Sequence, residues 1–137
     1  MKCVFCDIIQ NRRNALRIWE DGDFILLLDI LPINPGHLLV LPKKHVRDIF
    51  DLPEPGYGEI FRVAKGAAKI LKELTAAKRI GLAVEGFSVP HVHIHLVPVN
   101  HSNELNPLRA KALPAKALAA MHKRFSRRFK GLVANDS

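Results

Sequence analysis

Apolar residues recur along this chain at two different periods, and the changes of period mark its elements. Phe24-Ile25-Leu26-Leu27-Leu28-Asp29 is a nearly continuous apolar run and reads as a buried strand. His37-Leu38-Leu39-Val40-Leu41-Pro42 repeats the pattern and ends at a proline, which cannot donate to a ladder. Ile18-Trp19-Glu20 begins a shorter extended segment, and Asp21-Gly22-Asp23 supplies a hairpin turn into the first run. Leu31-Pro32-Ile33-Asn34-Pro35-Gly36 is a loop, because two prolines and a glycine suit neither helix nor ladder. After a short helical turn at Asp48–Leu52 the period lengthens. Ile60, Val63, Ala64, Ala67, Ile70, Leu71 and Leu74 fall at helical spacing, with Arg62, Lys65, Lys69 and Lys72 mainly outside the stripe, predicting one amphipathic helix from Glu59 to about Ala77. A strand follows at Ile80–Glu85, broken by Gly86, and another runs from His91 to about Val99. A loop over Asn100–Pro107 leads to a second helix from Pro114, suited to a first helical turn, to about Phe129. This order predicts an α+β meander, mostly antiparallel.

The last strand is chemically unusual. Residues 91–97 read His-Val-His-Ile-His-Leu-Val, and alternation puts His91, His93 and His95 on one face with Val92, Ile94 and Leu96 on the other. The aliphatic face suits a core, while the imidazoles can line a cleft. Imidazole titrates near neutrality, ligates metals and acts as nucleophile or proton carrier. Alternate residues lie about 6.5–7 Å apart along a strand, so three histidines on one straight strand do not easily share a single ion. The triplet is expected to divide its labour. His37, which follows Asn34-Pro35-Gly36, is a fourth candidate because the glycine lets a ligand approach the backbone.

Composition narrows the setting. At 137 residues, 48% hydrophobic and 25% charged, the chain is expected to be a single soluble domain. It has no apolar run near the roughly 20 residues that cross a bilayer and no secretory h-region, which predicts a cytoplasmic protein. Both cysteines form one Cys-x-x-Cys unit, Cys3 and Cys6. In a reducing compartment this leaves metal binding, redox chemistry or no role, redox being the weakest because the pair opens no strand-to-helix turn. The net charge of +8 concentrates in the C-terminal third, with Arg109, Lys111, Lys116, Lys123, Arg124, Arg127, Arg128 and Lys130. Such a tail favours polyanions, nucleic acid among them, or is simply a solvated helix face.

His-Val-His-Ile-His-Leu-Val resembles the signature of the histidine-triad (HIT) nucleotide hydrolases and transferases. Cys3-Val4-Phe5-Cys6-Asp7-Ile8-Ile9 is similar to the N-terminal segment of that family. The stretch from Leu28 to His37 is similar to its nucleoside loop, and Leu39 to His45 also fits. The resemblance spans roughly residues 3–99 and implies a five-stranded antiparallel sheet with one long central helix and a C-terminal helix. The whole chain, 1–137, is then one HIT-like domain, with a core over 1–108 and a basic helical tail over 109–137.

What the resemblance implies about chemistry is specific. His93, the central member, would attack an α-phosphorus and carry the nucleotidyl group, while His95 and His37 surround the phosphate and Ser88 assists the leaving group. Asp29 matches the ribose-binding acid, and Phe5, Ile8, Leu27 and Ile30 match apolar positions around the base, or are plain core. Cys3, Cys6, His45 and His91 match a Cys2His2 structural zinc site, which would free His93 from metal duty. Substrates would be dinucleoside polyphosphates or nucleoside phosphoramidates, and the protein a homodimer. One departure stands out: Phe87 occupies the position of a phosphate-contacting glutamine. Two rival readings are a nucleotide- or nucleic-acid-binding protein with a basic tail and little turnover, and a hydrolase whose catalytic ion sits on His91 and His93.

Overall fold

The computed structural model describes residues 2–132, and period-two alternation organises its centre. In β2 (Phe24–Leu28) and β3 (Leu38–Pro42) every residue is buried. Phe24, Leu26, Leu28, Leu38 and Val40 point into the main core, while Ile25, Leu27, Leu39 and Leu41 point into a second, smaller cluster on the opposite face. The sheet thus has two apolar faces, and each must be covered.

Different helices cover them. A long helix, numbered α2 here (Gly56–Thr75), lays Ile60, Val63, Ala64, Ala67 and Leu71 on the main face. The C-terminal helix α3 (Ala115–Phe129) adds Phe125 and Phe129 to the same core, so the helix of the expected basic tail is packed against β1 and α2. The last residues of that tail, 133–137, lie outside the described part of the chain. The second face receives α1 (Val4–Ile9), which buries Phe5 and Ile8. The sequence pattern does not announce this short helix; Cys3 caps it, its sulfur accepting from the Cys6 N–H at 3.4 Å.

The remaining strands are β1 (Leu16–Glu20), β4 (Arg79–Ala83) and β5 (Ile94–Val99). All pairings are antiparallel, in the order β1-β2-β3-β5-β4. The fold is α+β with a five-stranded sheet, but it is not a simple meander. After α2 the chain places β4 one position out and returns through β5 between β3 and β4. His95 therefore stands opposite both Leu39 and Ala83, in the interior of the sheet.

Several boundaries differ from expectation. The long helix starts at Gly56 rather than Glu59, and ends where Ala76 turns left-handed (φ 54°). The fourth strand covers Arg79–Ala83, not Ile80–Glu85. Ladder pairing in β5 begins at Ile94 and not at His91, because the backbone at 91–92 is bonded elsewhere. The His91 N–H donates to Val89 O at 2.8 Å and the Val92 N–H to Val46 O at 2.8 Å. The alternation of faces survives: Val92, Ile94 and Leu96 are in the main core.

Candidate active site and metal centre

Gly36 positions the first imidazole. Its φ of +98° is one that side chains rarely adopt, and a Cβ there would stand 3.0 Å from Thr75 Cγ2 and 3.3 Å from Pro98 Cγ. The turn it makes closes through the His37 N–H on Asn34 O (3.1 Å) and the Asp29 N–H on His37 O (2.9 Å). His37 is thereby buried, facing β5. The Ile33 N–H donates to His37 Nδ1 at 3.1 Å, which leaves the proton of the neutral ring on Nε2. Nε2 lies 2.9 Å from His95 Nδ1 and can only donate to it, so the His95 proton sits on its own Nε2. Burial, with His93 nearby, pushes His37 down to about 4. Burial, with His93 and His37, pushes His95 down to about 4 as well. Both are neutral donors at pH 7.

His93 has the opposite polarity. Its Nδ1 lies 2.7 Å from the carbonyl oxygen of His91 and must donate to it, so Nε2 carries the free lone pair. The ring is held on two sides, by Phe5 at 4.9 Å and by His95 at 4.8 Å between centroids. His37, His93 and His95 line one cavity of about 220 Å³ with Asp29 and Ser88. Asp29 Oδ1 accepts from the Leu31 N–H at 2.9 Å, and burial pushes its carboxyl up against that bond and the adjacent imidazoles. An activated nitrogen beside a neutral N–H donor is the equipment needed for transfer to and from histidine.

His91 turns to different work. Its Nε2 donates to Pro42 O at 2.9 Å, which aims the Nδ1 lone pair at Cys3 Sγ (3.5 Å), Cys6 Sγ (3.6 Å) and His45 Nδ1 (3.1 Å). His45 Nδ1 is also 3.2 Å from Cys6 Sγ. Two thiols and two imidazole nitrogens converge within 4.8 Å of one another. A tetrahedral ion with metal–N near 2.1 Å and metal–S near 2.3 Å spaces its donors roughly 3.3–3.8 Å apart, and this cluster fits. The Pro42 carbonyl is the outer partner that fixes the ligating tautomer. Burial, with Cys3 beside it, pushes the Cys6 thiol up to about 11, so a cation is what would make it a thiolate.

Asp29, His37 and His95 also bring donor atoms together. That set does not suit an ion, since the Ile33 N–H occupies the His37 Nδ1 lone pair and leaves a proton on the nitrogen facing the cluster. A catalytic ion shared by His91 and His93 is excluded on similar grounds. His93 Nδ1 is held by a carbonyl, and the His91 lone pair points into the cysteine cluster.

The apolar candidates divide. Phe5, Ile8 and Leu27 are buried in the second cluster, and the Phe5 ring packs against His93. Ile30 is 58% exposed and does not line the cavity. The structure instead brings Leu31, Ile33, Glu85, Leu105, Pro107 and Ala110 into the lining, none of which sequence reasoning placed at the site. The last three belong to the segment after β5, which a clamp folds back over the cavity. Arg109 donates to Asn34 Oδ1 (3.0 Å) and Glu104 Oε2 (3.3 Å), and the Lys111 N–H to Pro32 O (3.1 Å). The one signal of this in the sequence is Glu104, one of only two acids, with Asp136, among the basic residues that follow β5.

The family model for the HIT domain matches residues 10–102. The chain belongs to the HIT domain family. It is 33% identical over 118 residues to a HIT-like protein of Mycobacterium tuberculosis, covering 82% of each chain. It is 29% identical over 100 residues to an adenosine 5'-monophosphoramidase of Schizosaccharomyces pombe, covering 72% of this chain and 74% of that one. A zinc-bound histidine triad family protein from Mycobacterium smegmatis superimposes with a TM-score of 0.77 at 28% identity, covering 94% of this HIT chain and 96% of that one.

Proposed function

We propose that this HIT protein transfers or hydrolyses at the α-phosphate of a nucleotide through a nucleotidyl group carried on His93 Nε2. One observation carries this reading: the 2.7 Å contact of His93 Nδ1 with the His91 carbonyl, which makes Nε2 the lone-pair nitrogen of the neutral ring, in a cavity whose next donor is the His95 N–H. The neutral imidazole attacks phosphorus as the bond to the leaving group breaks. His95 Nε2 supplies a proton to the departing atom, Ser88 stands beside it, and His37 holds His95 in its donating tautomer. Water then cleaves the labile P–N bond and restores the ring. Asp29 is placed to accept ribose hydroxyls; Phe5, Ile8 and Leu27 would back the base from the second core cluster, and exposed Ile30 would meet it outside the cavity wall. The substrates are nucleoside phosphoramidates, which the similarity to an adenosine 5'-monophosphoramidase supports, or dinucleoside polyphosphates.

Zinc is the metal assigned to Cys3, Cys6, His45 and His91, on the donor set and on the zinc-bound relative. It would tie α1 to the segment ahead of β5 and so hold Phe5 against His93. A homodimer is supported by β4, whose outer edge is unpaired and whose Leu82 is exposed. No helix among the described residues is long and apolar enough to cross a membrane, and we place the protein in the cytoplasm, where a Cys-x-x-Cys pair stays reduced and open to metal.

Labelling tests the enzyme reading. Incubation with an α-labelled nucleotide should give an acid-labile adduct on wild type and none on His93→Asn. A folded wild type that neither labels nor turns over any nucleotide overturns it. Two observations favour the alternative of binding with little turnover. Phe87 is 88% exposed at the cavity and offers a phosphate no hydrogen bond. Lys116, Lys123, Arg127 and Lys130 form an exposed basic stripe on α3, suited to nucleic acid. Affinity that falls steeply with salt and survives His93→Asn would mark that case.

A further inference from the structure

The charge lining the cavity is opposite to the charge of the chain. The protein has 21 lysines and arginines against 13 acids, yet no lysine or arginine lines the histidine cavity, and two carboxylates do, Asp29 and Glu85. The cations nearest in sequence are exposed Lys111 and Arg109, on either side of the lining residue Ala110, and Arg109 has its own partners. Its guanidinium is turned away into the clamp with Asn34 and Glu104. That clamp is itself closed: Glu104 Oε1 accepts from the Asn100 and His101 N–H groups at 2.5 and 2.7 Å, and Asn34 Nδ2 donates to Pro98 O at 2.7 Å. His37 and His95, pushed down to about 4 by burial, add no positive charge at pH 7.

The two carboxylates are not equivalent. Asp29 sits inward, its Oδ1 taken by the Leu31 N–H and its Oδ2 3.6 Å from His37 Nε2. Glu85 is exposed at the mouth, just after β4, and among the described residues forms no ion pair. It shares the cavity wall with Gly86, Phe87 and Ser88, the segment that leads directly to His91 and His93. A polyphosphate leaving group placed there would meet a carboxylate and a phenyl ring with no cation to offset its charge. A positively charged group would meet a partner.

Resting on the reading that His93 takes up the nucleotidyl group, we propose that Glu85 selects a nucleoside phosphoramidate whose leaving amine carries a second, cationic centre. In the transfer step the His93 Nε2–P bond forms as the P–N bond to the amine breaks. The electron pair goes to the leaving nitrogen, which takes the proton from His95 Nε2. Water then attacks phosphorus and the P–Nε2 bond breaks; one hydrogen of that water stays on the nucleoside monophosphate and the other returns to His95 Nε2, replacing the proton the free amine took away. Glu85 takes no part in the proton transfers and holds the cationic end of the amine, so it acts on specificity and not on the reacting atoms. Phe87, Leu105 and Pro107 give the carbon chain between the two nitrogens an apolar wall.

The test uses three probes with one adenylyl group: adenosine 5'-phosphoramidates of 1,3-diaminopropane and of propylamine, and diadenosine tetraphosphate. kcat/KM is measured for wild type, Glu85→Gln and Glu85→Lys, with melting curves to show that each is folded. Wild type should prefer the diamine over propylamine by about 3-fold, the scale of one exposed charge pair. The ratio should fall toward unity in Glu85→Gln and invert in Glu85→Lys, which should also gain on diadenosine tetraphosphate. Added salt should compress all three ratios. Equal ratios in the three proteins, or a wild type fastest on diadenosine tetraphosphate, overturn the proposal while leaving histidine chemistry intact. Absence of turnover together with absence of label on His93 removes the reading beneath it as well.

Discussion

His93 Nδ1 lies 2.7 Å from the carbonyl oxygen of His91, and this contact gives two imidazoles two residues apart different work. The carbonyl takes the His93 proton, leaving its Nε2 lone pair for the cavity. The His91 ring meanwhile donates to Pro42 O and offers its lone pair to the cysteines. His93→Asn should therefore lower kcat by at least ~10³-fold, the loss expected when a nucleophile is removed. Its melting temperature should change little, because the asparagine amide can still donate to the His91 carbonyl. Single-turnover kinetics with thermal melting decide it, and retained turnover would count against His93 as nucleophile.

Removing the metal should act on stability before chemistry. A cluster of two thiols and two imidazoles joins residues 3 and 6 to residues 45 and 91, so a chelator or Cys6→Ser should lower the melting temperature and loosen α1. Elemental analysis should find one zinc per chain in wild type and less than one in Cys6→Ser. Full metal content in that variant would exclude the four-ligand site.

The buried imidazoles predict a pH dependence of stability with a definite sign. In the folded protein His37 and His95 stay neutral down to about 4, whereas in the unfolded chain histidines take up protons near 6.5. The unfolded state then binds more protons between those values, so stability is full above about pH 6.5 and is lost progressively toward pH 4. His95→Asn should flatten this part of the curve of melting temperature against pH. An unchanged slope would show that the titration lies elsewhere.

The C-terminal helix should behave as core. Phe129 is completely buried, and Phe129→Ala should cost roughly 3–5 kcal/mol in chemical denaturation. Lys123→Ala, on the exposed side of the same helix, should cost less than about 0.5 kcal/mol. Comparable effects at both positions would contradict the packing of α3 on β1 and α2.

Much of this was legible in the amino-acid order because alternation is a local property. Phe24 to Leu28 and Leu38 to Pro42 read as buried strands from their own residues. The spacing from Ile60 to Leu74 likewise reads as a helix. His91, His93 and His95 fall on the face away from Val92, Ile94 and Leu96 although only His95 is in the ladder. A side chain's face follows from the extended backbone at that residue, and no distant partner is needed.

Other features depend on which distant groups meet. The helix at Val4–Ile9 exists against Ile25, Leu27, Leu39 and Leu41, and six residues alone would not hold it. The place of β5 between β3 and β4 depends on where α2 returns the chain. The tautomers of His37, His93 and His95 are set by one amide, one carbonyl and one neighbouring ring, none of which a spacing pattern encodes. The cavity roof exists because Arg109 reaches Asn34 across 75 positions. By itself the sequence determined the strands, the two main helices and the three histidines on one side. Tertiary structure alone decided which imidazole donates, which accepts, and which carboxylate waits at the mouth. Faces are set by neighbouring dihedrals, whereas proton positions and cavity charge are set by contacts between residues far apart in the chain.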